Sequence, residues 1–71
     1  MKELSIRNKL AGTVHDIVWG PVVSEVVVNT AAGTLASVIT TRSVEDLKLK
    51  KGDAVFVMVK ATEASIQKEE A

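Results

Sequence analysis

The segment Ala54-Val55-Phe56-Val57-Met58-Val59-Lys60-Ala61 constrains this chain more than any other stretch. Its β-branched content reads as a strand, whose side chains alternate between two faces. One set, Val55, Val57 and Val59, is apolar, and so is the other, Ala54, Phe56 and Met58. A strand with one wet face would carry a polar residue at every second position, so this one is covered on both sides. The chain has only 71 residues, and a domain of that size buries roughly 60% of the surface its unfolded form exposes. The second covering surface is therefore expected from another chain. There is no cysteine and a single histidine, His15, so neither a disulfide nor a thiolate or histidine zinc cage provides an alternative staple. The expectation is a homo-oligomer.

The remaining patterns are short and mostly of period two. Leu4 to Asn8 is a candidate first strand. Lys9 to Trp19 is a longer one, with Leu10, Gly12, Val14 and Asp16 alternating against Ala11, Thr13, His15 and Ile17. Gly12 is expected to mark a bulge or bend in it. After the Gly20-Pro21 break, Val22 to Thr30 is the clearest strand, and Ala31-Ala32-Gly33 turns the chain into a hairpin partner over Thr34 to Thr40. Ser43-Val44-Glu45-Asp46 reads as a helix start, with Ser43 as cap and acidic residues in the first turn. Leu47 and Leu49 anchor that helix and Lys50-Lys51-Gly52-Asp53 closes it. The polar stretch from Thr62 to Ala71 is expected to fray. About five strands and one short helix predict an all-β fold, a small Greek-key barrel of the oligonucleotide/oligosaccharide-binding (OB) type, as one domain over residues 1–71.

Composition removes several classes of function. The formal net charge is zero, so no basic field announces nucleic acid or an anionic membrane. No apolar run approaches the roughly 18 residues of a membrane span, and Met1-Lys2-Glu3-Leu4-Ser5 lacks a signal-peptide core. The expectation is a soluble cytoplasmic protein. Nucleophilic catalysis is poorly supplied, with no cysteine, no tyrosine and a lone histidine. Glu25, Glu45, Asp46 and Asp53 show no metal-loop spacing. Single-stranded nucleic acid, the usual alternative ligand of such barrels, needs stacking aromatics; only Trp19 and Phe56 are present, and Phe56 lies within the apolar run.

Oxyanion binding has positive support. Three polar clusters fall at strand ends or turns: Ser5-Ile6-Arg7-Asn8, Thr40-Thr41-Arg42-Ser43 and Lys60-Ala61-Thr62. Hydroxyls, amides and one or two cations are what a tetrahedral oxyanion requires, and the second cluster leads into a helix whose first amides are expected to be free.

The order of these clusters carries a family resemblance. Ser5-Ile6-Arg7-Asn8-Lys9-Leu10-Ala11-Gly12 is similar to the Ser-Ala-Arg-Asn-Gln-Leu-x-Gly opening of molbindins (the Mop family of molybdate/tungstate-binding modules). Ser37-Val38-Ile39-Thr40, then Ser43-Val44-Glu45-Asp46-Leu47 with Lys51-Gly52-Asp53, then Val59-Lys60-Ala61-Thr62-Glu63, resemble the family's later segments in sequence order. The resemblance implies an OB-like barrel whose first strand is exchanged between subunits, assembled as a hexameric trimer of dimers. It implies molybdate or tungstate held at subunit interfaces, for storage or homeostasis, with no further cofactor and no metal ligated directly by protein. By the same resemblance the dimer-interface site draws on Ser5 and Arg7 of one subunit and on Thr40, Ser43, Lys60 and Ala61 of the other. A second site near a three-fold axis would be lined by Gly20, Val22, Val23 and Ser24. Two departures bear on these sites: Ile6 stands where the family has alanine, and Pro21 removes an amide from the second.

Overall fold

A computed structural model describes residues 7–69. Strand β1 (Asn8–Val18) is followed by β2 (Val23–Thr30), β3 (Gly33–Thr40), the helix α1 (Thr41–Asp46), β4 (Ala54–Val59) and a 3-10 turn at Ala61–Glu63. The four strands form one antiparallel sheet in the order β3-β2-β1-β4. β1 is shared: Asn8–Thr13 pair with β4, while Gly12–Val18 pair with β2. The staggered pairing curls the sheet into a half-barrel, and Val44 of α1 plugs it, fully buried against Val14, Val26 and Val28. The expected fifth strand, Leu4 to Asn8, falls mostly outside the described residues; Asn8 already belongs to β1.

The β1 pattern depends on one inserted residue. Val14 pairs with Val28 and Asp16 with Val27, so the bulge sits at His15 and not at Gly12. The extra residue resets the alternation, which lets Val14 and Ile17 both serve the core although they are three apart. Gly12 is required for a different reason. A Cβ there would lie 2.6 Å from the Asn29 carbonyl oxygen and 2.6 Å from Val28 Cγ1.

The helix begins three residues earlier than Ser43 suggests. Thr40 is its cap, in extended backbone conformation, and its hydroxyl accepts from the Ser43 amide at 3.1 Å. Glu45 and Asp46 consequently fall in the second half, and no acidic residue lies in the first turn. Nor does the helix run on to Lys50. Leu49 N–H donates to Val44 O at 3.1 Å and Lys48 N–H to Glu45 O at 3.0 Å, with Lys48 at φ 54. This pair of bonds is a Schellman ending, with lysine in the left-handed place that glycine usually takes. Lys50–Asp53 forms a separate turn, tied to β1 through Gly52 N–H to Val14 O and Val14 N–H to Asp53 O, both 2.9 Å.

β4 keeps the two apolar faces read from its sequence, but within one chain only one is covered. Val55, Val57 and Val59 are half-buried, whereas Phe56 is 60% exposed. Lys9 Nζ lies 4.4 Å from the Phe56 ring centre, a cation–π contact. On the concave side an apolar cleft of about 190 Å³ opens between Ile39 of β3, Leu49, and Val57 and Met58 of β4. β3 and β4 are the two sheet edges, so the half-barrel is open along its length there. No helix among the described residues is long and apolar enough to cross a membrane.

Candidate functional site

The end of β3 and the start of α1 bring two of the expected site residues together. Thr40 Oγ1 and Ser43 Oγ are 2.6 Å apart, and Thr40 Oγ1 also accepts the Ser43 amide. One hydroxyl proton serves the contact between the pair, so the other is left to donate outward. An anion that draws both hydroxyls round gains a second donor at the loss of that contact. The amides contribute less than the sequence suggests: Thr41 N–H is engaged by Val22 O at 2.8 Å and Ser43 N–H by Thr40. Arg42 is exposed beside this pair and lines a shallow recess with Pro21, Val22, Thr40, Thr41 and Glu45.

Arg7, Lys60 and Ala61 stand elsewhere. Asn8 pairs with Val59 and its side-chain Nδ2 donates to Val59 O at 3.1 Å. Arg7 immediately precedes that pair and Lys60 immediately follows it, so both cations mark the Asn8 end of β1. Thr40 pairs with Val23, at the Val18 end. Within one chain the hydroxyl pair and the lysine thus occupy opposite ends of the β1 ladder. Lys60 lies just beyond β4, at the cap of the 3-10 turn that Ala61 opens, and a turn of that kind leaves its first amides without internal partners. Lys60 is exposed, so the dry surroundings implied by its apolar neighbours are not provided by its own chain. No ion pair among the described residues engages it; those present are Lys50–Asp53 at 3.1 Å and Lys51–Asp16 at 3.6 Å. Ser5 lies outside the described residues.

The Gly20–Ser24 turn is already occupied by internal bonds. Gly20 N–H donates to Ser24 Oγ at 3.2 Å, Ser24 and Thr41 hydroxyls meet at 2.7 Å, and Thr41 Oγ1 donates to Gly20 O at 2.7 Å. A carbonyl only accepts, so the Thr41 proton points to Gly20 and the Ser24 proton to Thr41. Ser24 is 2% exposed. Val22 and Val23 are exposed, but Val22 O is engaged by Thr41. Gly20 has no room for a side chain, since a Cβ would meet the Val23 carbonyl oxygen at 2.2 Å. The role of Thr41 in this ring was not readable from sequence, where Thr40-Thr41-Arg42-Ser43 offers three equivalent hydroxyls.

Among the described residues no group of three or more His, Asp or Glu side chains is placed to hold a metal ion. The arrangement instead offers the Thr40–Ser43 hydroxyls, with Arg42 beside them, at one end of the sheet and Arg7 and Lys60 at the other.

Comparison with known proteins places the chain among its relatives. The TOBE domain family model matches residues 4–66. Molybdenum-pterin-binding protein 2 of Clostridium pasteurianum is 39% identical over 64 residues, covering 89% of this chain and 94% of that protein. The structure of a molybdate-binding protein from Sporomusa ovata superposes with a TM-score of 0.91 at 43% identity, covering 94% of this chain and all of that one. The cytoplasmic molybdate-binding protein ModG, with molybdate bound, gives a TM-score of 0.82 at 36% identity over 87% of this chain and 45% of its own. The chain belongs to the TOBE domain family, and within it to the molbindin (Mop) group that its motifs resemble.

Proposed function

We propose that this chain binds molybdate or tungstate at sites completed between subunits, and serves intracellular storage or homeostasis of the anion as a cytoplasmic binding module, not an enzyme. The observation that carries this reading is the match along the entire chain of a molybdate-binding protein, at a TM-score of 0.91. The geometry supports it. A dianion leaving water needs its hydration replaced by donors, because an unpaired buried charge is costly. Thr40 and Ser43 supply hydroxyls, Lys60 and Arg7 supply charge, and Ala61 supplies backbone. In one chain these groups stand at opposite ends of β1. The resemblance groups Lys60 and Ala61 with Thr40 and Ser43; because these stand at opposite ends of β1 within one chain, we assign Arg7, Lys60 and Ala61, with Ser5, to one subunit and Thr40 and Ser43 to its partner. The open edges of β3 and β4 and the apolar cleft between them favour a second chain, with the first strand exchanged, as the surface that completes and dries the site. The Gly20, Val22, Val23 and Ser24 turn is the weaker candidate, because its amide and hydroxyls already satisfy one another. Nucleic acid is disfavoured, since Trp19 and Phe56 are the two aromatic residues available for stacking and the formal net charge is zero.

Thermal melts with ligand added test the class of ligand. At 100 times its dissociation constant a ligand stabilises a single-site protein by about 2.7 kcal/mol. Molybdate and tungstate are expected to raise the melting temperature, sulfate much less and single-stranded DNA not at all. A flat response to both metallates refutes the reading. Mixing Ser43→Ala with Lys60→Ala subunits tests the assignment to chains. If the two residues come from different subunits, mixed assemblies regain intact sites and metallate binding returns; if they share a subunit, it does not.

A further inference from the structure

We propose that Thr41 is a positioning residue for oxyanion binding, acting through its closed hydrogen-bond ring with Ser24 and Gly20 to hold the Thr40–Ser43 hydroxyl pair in place; this rests on the function proposed above. Thr41 lies directly between the two ends of that pair's backbone. Its hydroxyl donates to Gly20 O at 2.7 Å and accepts from Ser24 at 2.7 Å, and its amide donates to Val22 O at 2.8 Å. Three bonds thus fix one residue against the Gly20–Ser24 turn. Every proton of the ring is committed to another member of it, so neither Ser24 nor Thr41 has a donor to offer an anion. Thr40, immediately before it, and Ser43, two residues after it, share one uncommitted hydroxyl proton. The division is one of commitment: the hydroxyls of Ser24 and Thr41 are spent on the ring and support, while the Thr40–Ser43 pair keeps a proton for contact.

The physical need is geometric. Binding groups recognise a rigid ion well only when held to within about 0.5 Å of the productive arrangement. The helix carrying Ser43 is six residues long, too short to hold itself in place, since isolated helices below about 12 residues are marginal. Its entry is held instead by the ring, by the Thr41 amide bond and by burial of Val44. Removing the Thr41 hydroxyl leaves Gly20 O without its donor and Ser24 without its acceptor, and both relax by moving the turn against the helix start.

Calorimetric titration of the full chain with sodium molybdate, and with sodium sulfate as competitor, decides the matter for Thr41→Val, Thr41→Ser and Ser24→Ala. Thr41→Val keeps the shape and removes the hydroxyl; it is expected to weaken molybdate binding at least tenfold at a temperature where the variant is fully folded, and to narrow the preference over sulfate. Thr41→Ser restores the hydroxyl and is expected to recover most of that loss. Ser24→Ala, which keeps the Thr41–Gly20 bond, is expected to lose about threefold to tenfold. A folded Thr41→Val variant with unaltered affinity and selectivity overturns the proposal, as does a Thr41→Ser variant no better than Thr41→Val. If Thr41→Val does not fold, unaltered affinity in Ser24→Ala overturns it. Absence of molybdate binding by the unsubstituted protein refutes the function itself and this proposal with it, an outcome distinct from a variant that matches the parent.

Discussion

Two cations near the expected site differ in what they can contribute. Lys60 ends a strand whose partners on both faces are apolar, and a second chain covering that face would exclude water around its ammonium. Arg42 lies in the chain between the two hydroxyl residues, is exposed, and lines an open recess with Glu45. A hydrogen bond to a charged group contributes typically about 1.5–3 kcal/mol, so Lys60→Ala is expected to weaken metallate binding on the order of tenfold to a hundredfold. Arg42→Ala is expected to cost far less. Calorimetry on the two variants reads the difference, and loss of binding in Arg42→Ala with Lys60→Ala intact would reverse the assignment. Neither change removes apolar area from the Val14, Val26, Val28 and Val44 core, so both variants should remain folded.

At the scale of elements, the loop from α1 to β4 carries two separable stabilising features. The first is the Schellman ending, where Lys48 sits at φ 54. A non-glycine residue in left-handed backbone is strained by roughly 1 kcal/mol or more, so Lys48→Gly should raise stability by up to about 1 kcal/mol in urea unfolding. A decrease would show that the lysine side chain makes a contact of greater weight than the strain. The second is Asp53. Its carboxylate takes the Lys50 ammonium at 3.1 Å and the Lys50 amide at 3.0 Å. Hydrogen bonding to the Lys50 side chain and then to its amide hold the Asp53 pKa below its ordinary 3.8, against a small opposing effect of desolvation. A carboxyl group whose folded value is depressed stabilises the fold above its unfolded value and loses that contribution as the pH falls through the folded one. Stability of the parent protein is therefore expected to decline as the pH is lowered below 3.8 by more than in Asp53→Asn. Equal acid sensitivity in the two would remove Asp53 from the account.

For the whole molecule, the question is what covers the exposed apolar surface. Val22 is 72% exposed, Val38 64% and Phe56 60%, alongside the unfilled cleft of about 190 Å³. The expectation is that a second chain covers the exposed residues of the β4 edge and the cleft beside them. An oligomer, with a hexamer as the specific expectation, should appear in sedimentation at micromolar concentration, and Phe56→Glu should shift it toward smaller species. A folded monomer under those conditions would contradict the expected assembly and leave the candidate site incomplete, since its hydroxyls and its lysine lie at opposite ends of β1.

Much of this architecture was legible from local patterns because period, turn chemistry and apolar alternation act over a few residues. The hairpin of β2 and β3, the doubly apolar β4 and the OB-like class all follow from such patterns. So do the hydroxyl and cation clusters. What the chain alone did not reveal depended on contacts between distant segments. Thr40 and not Ser43 caps α1, because both residues have a suitable hydroxyl and the β3 exit geometry chooses between them. The bulge lies at His15 and not at Gly12, because a bulge is a property of two paired strands, and Gly12 is instead required by the close approach of Asn29 and Val28. Thr41 commits its hydroxyl to Ser24 and Gly20 while the Thr40–Ser43 pair keeps a proton uncommitted, a division among near-identical hydroxyls that no spacing rule makes. The amino-acid sequence determined which chemical groups were available and which strands carried them. Only the tertiary structure decided which of those groups satisfy one another and which are left free, because hydrogen bonding is settled pair by pair in space.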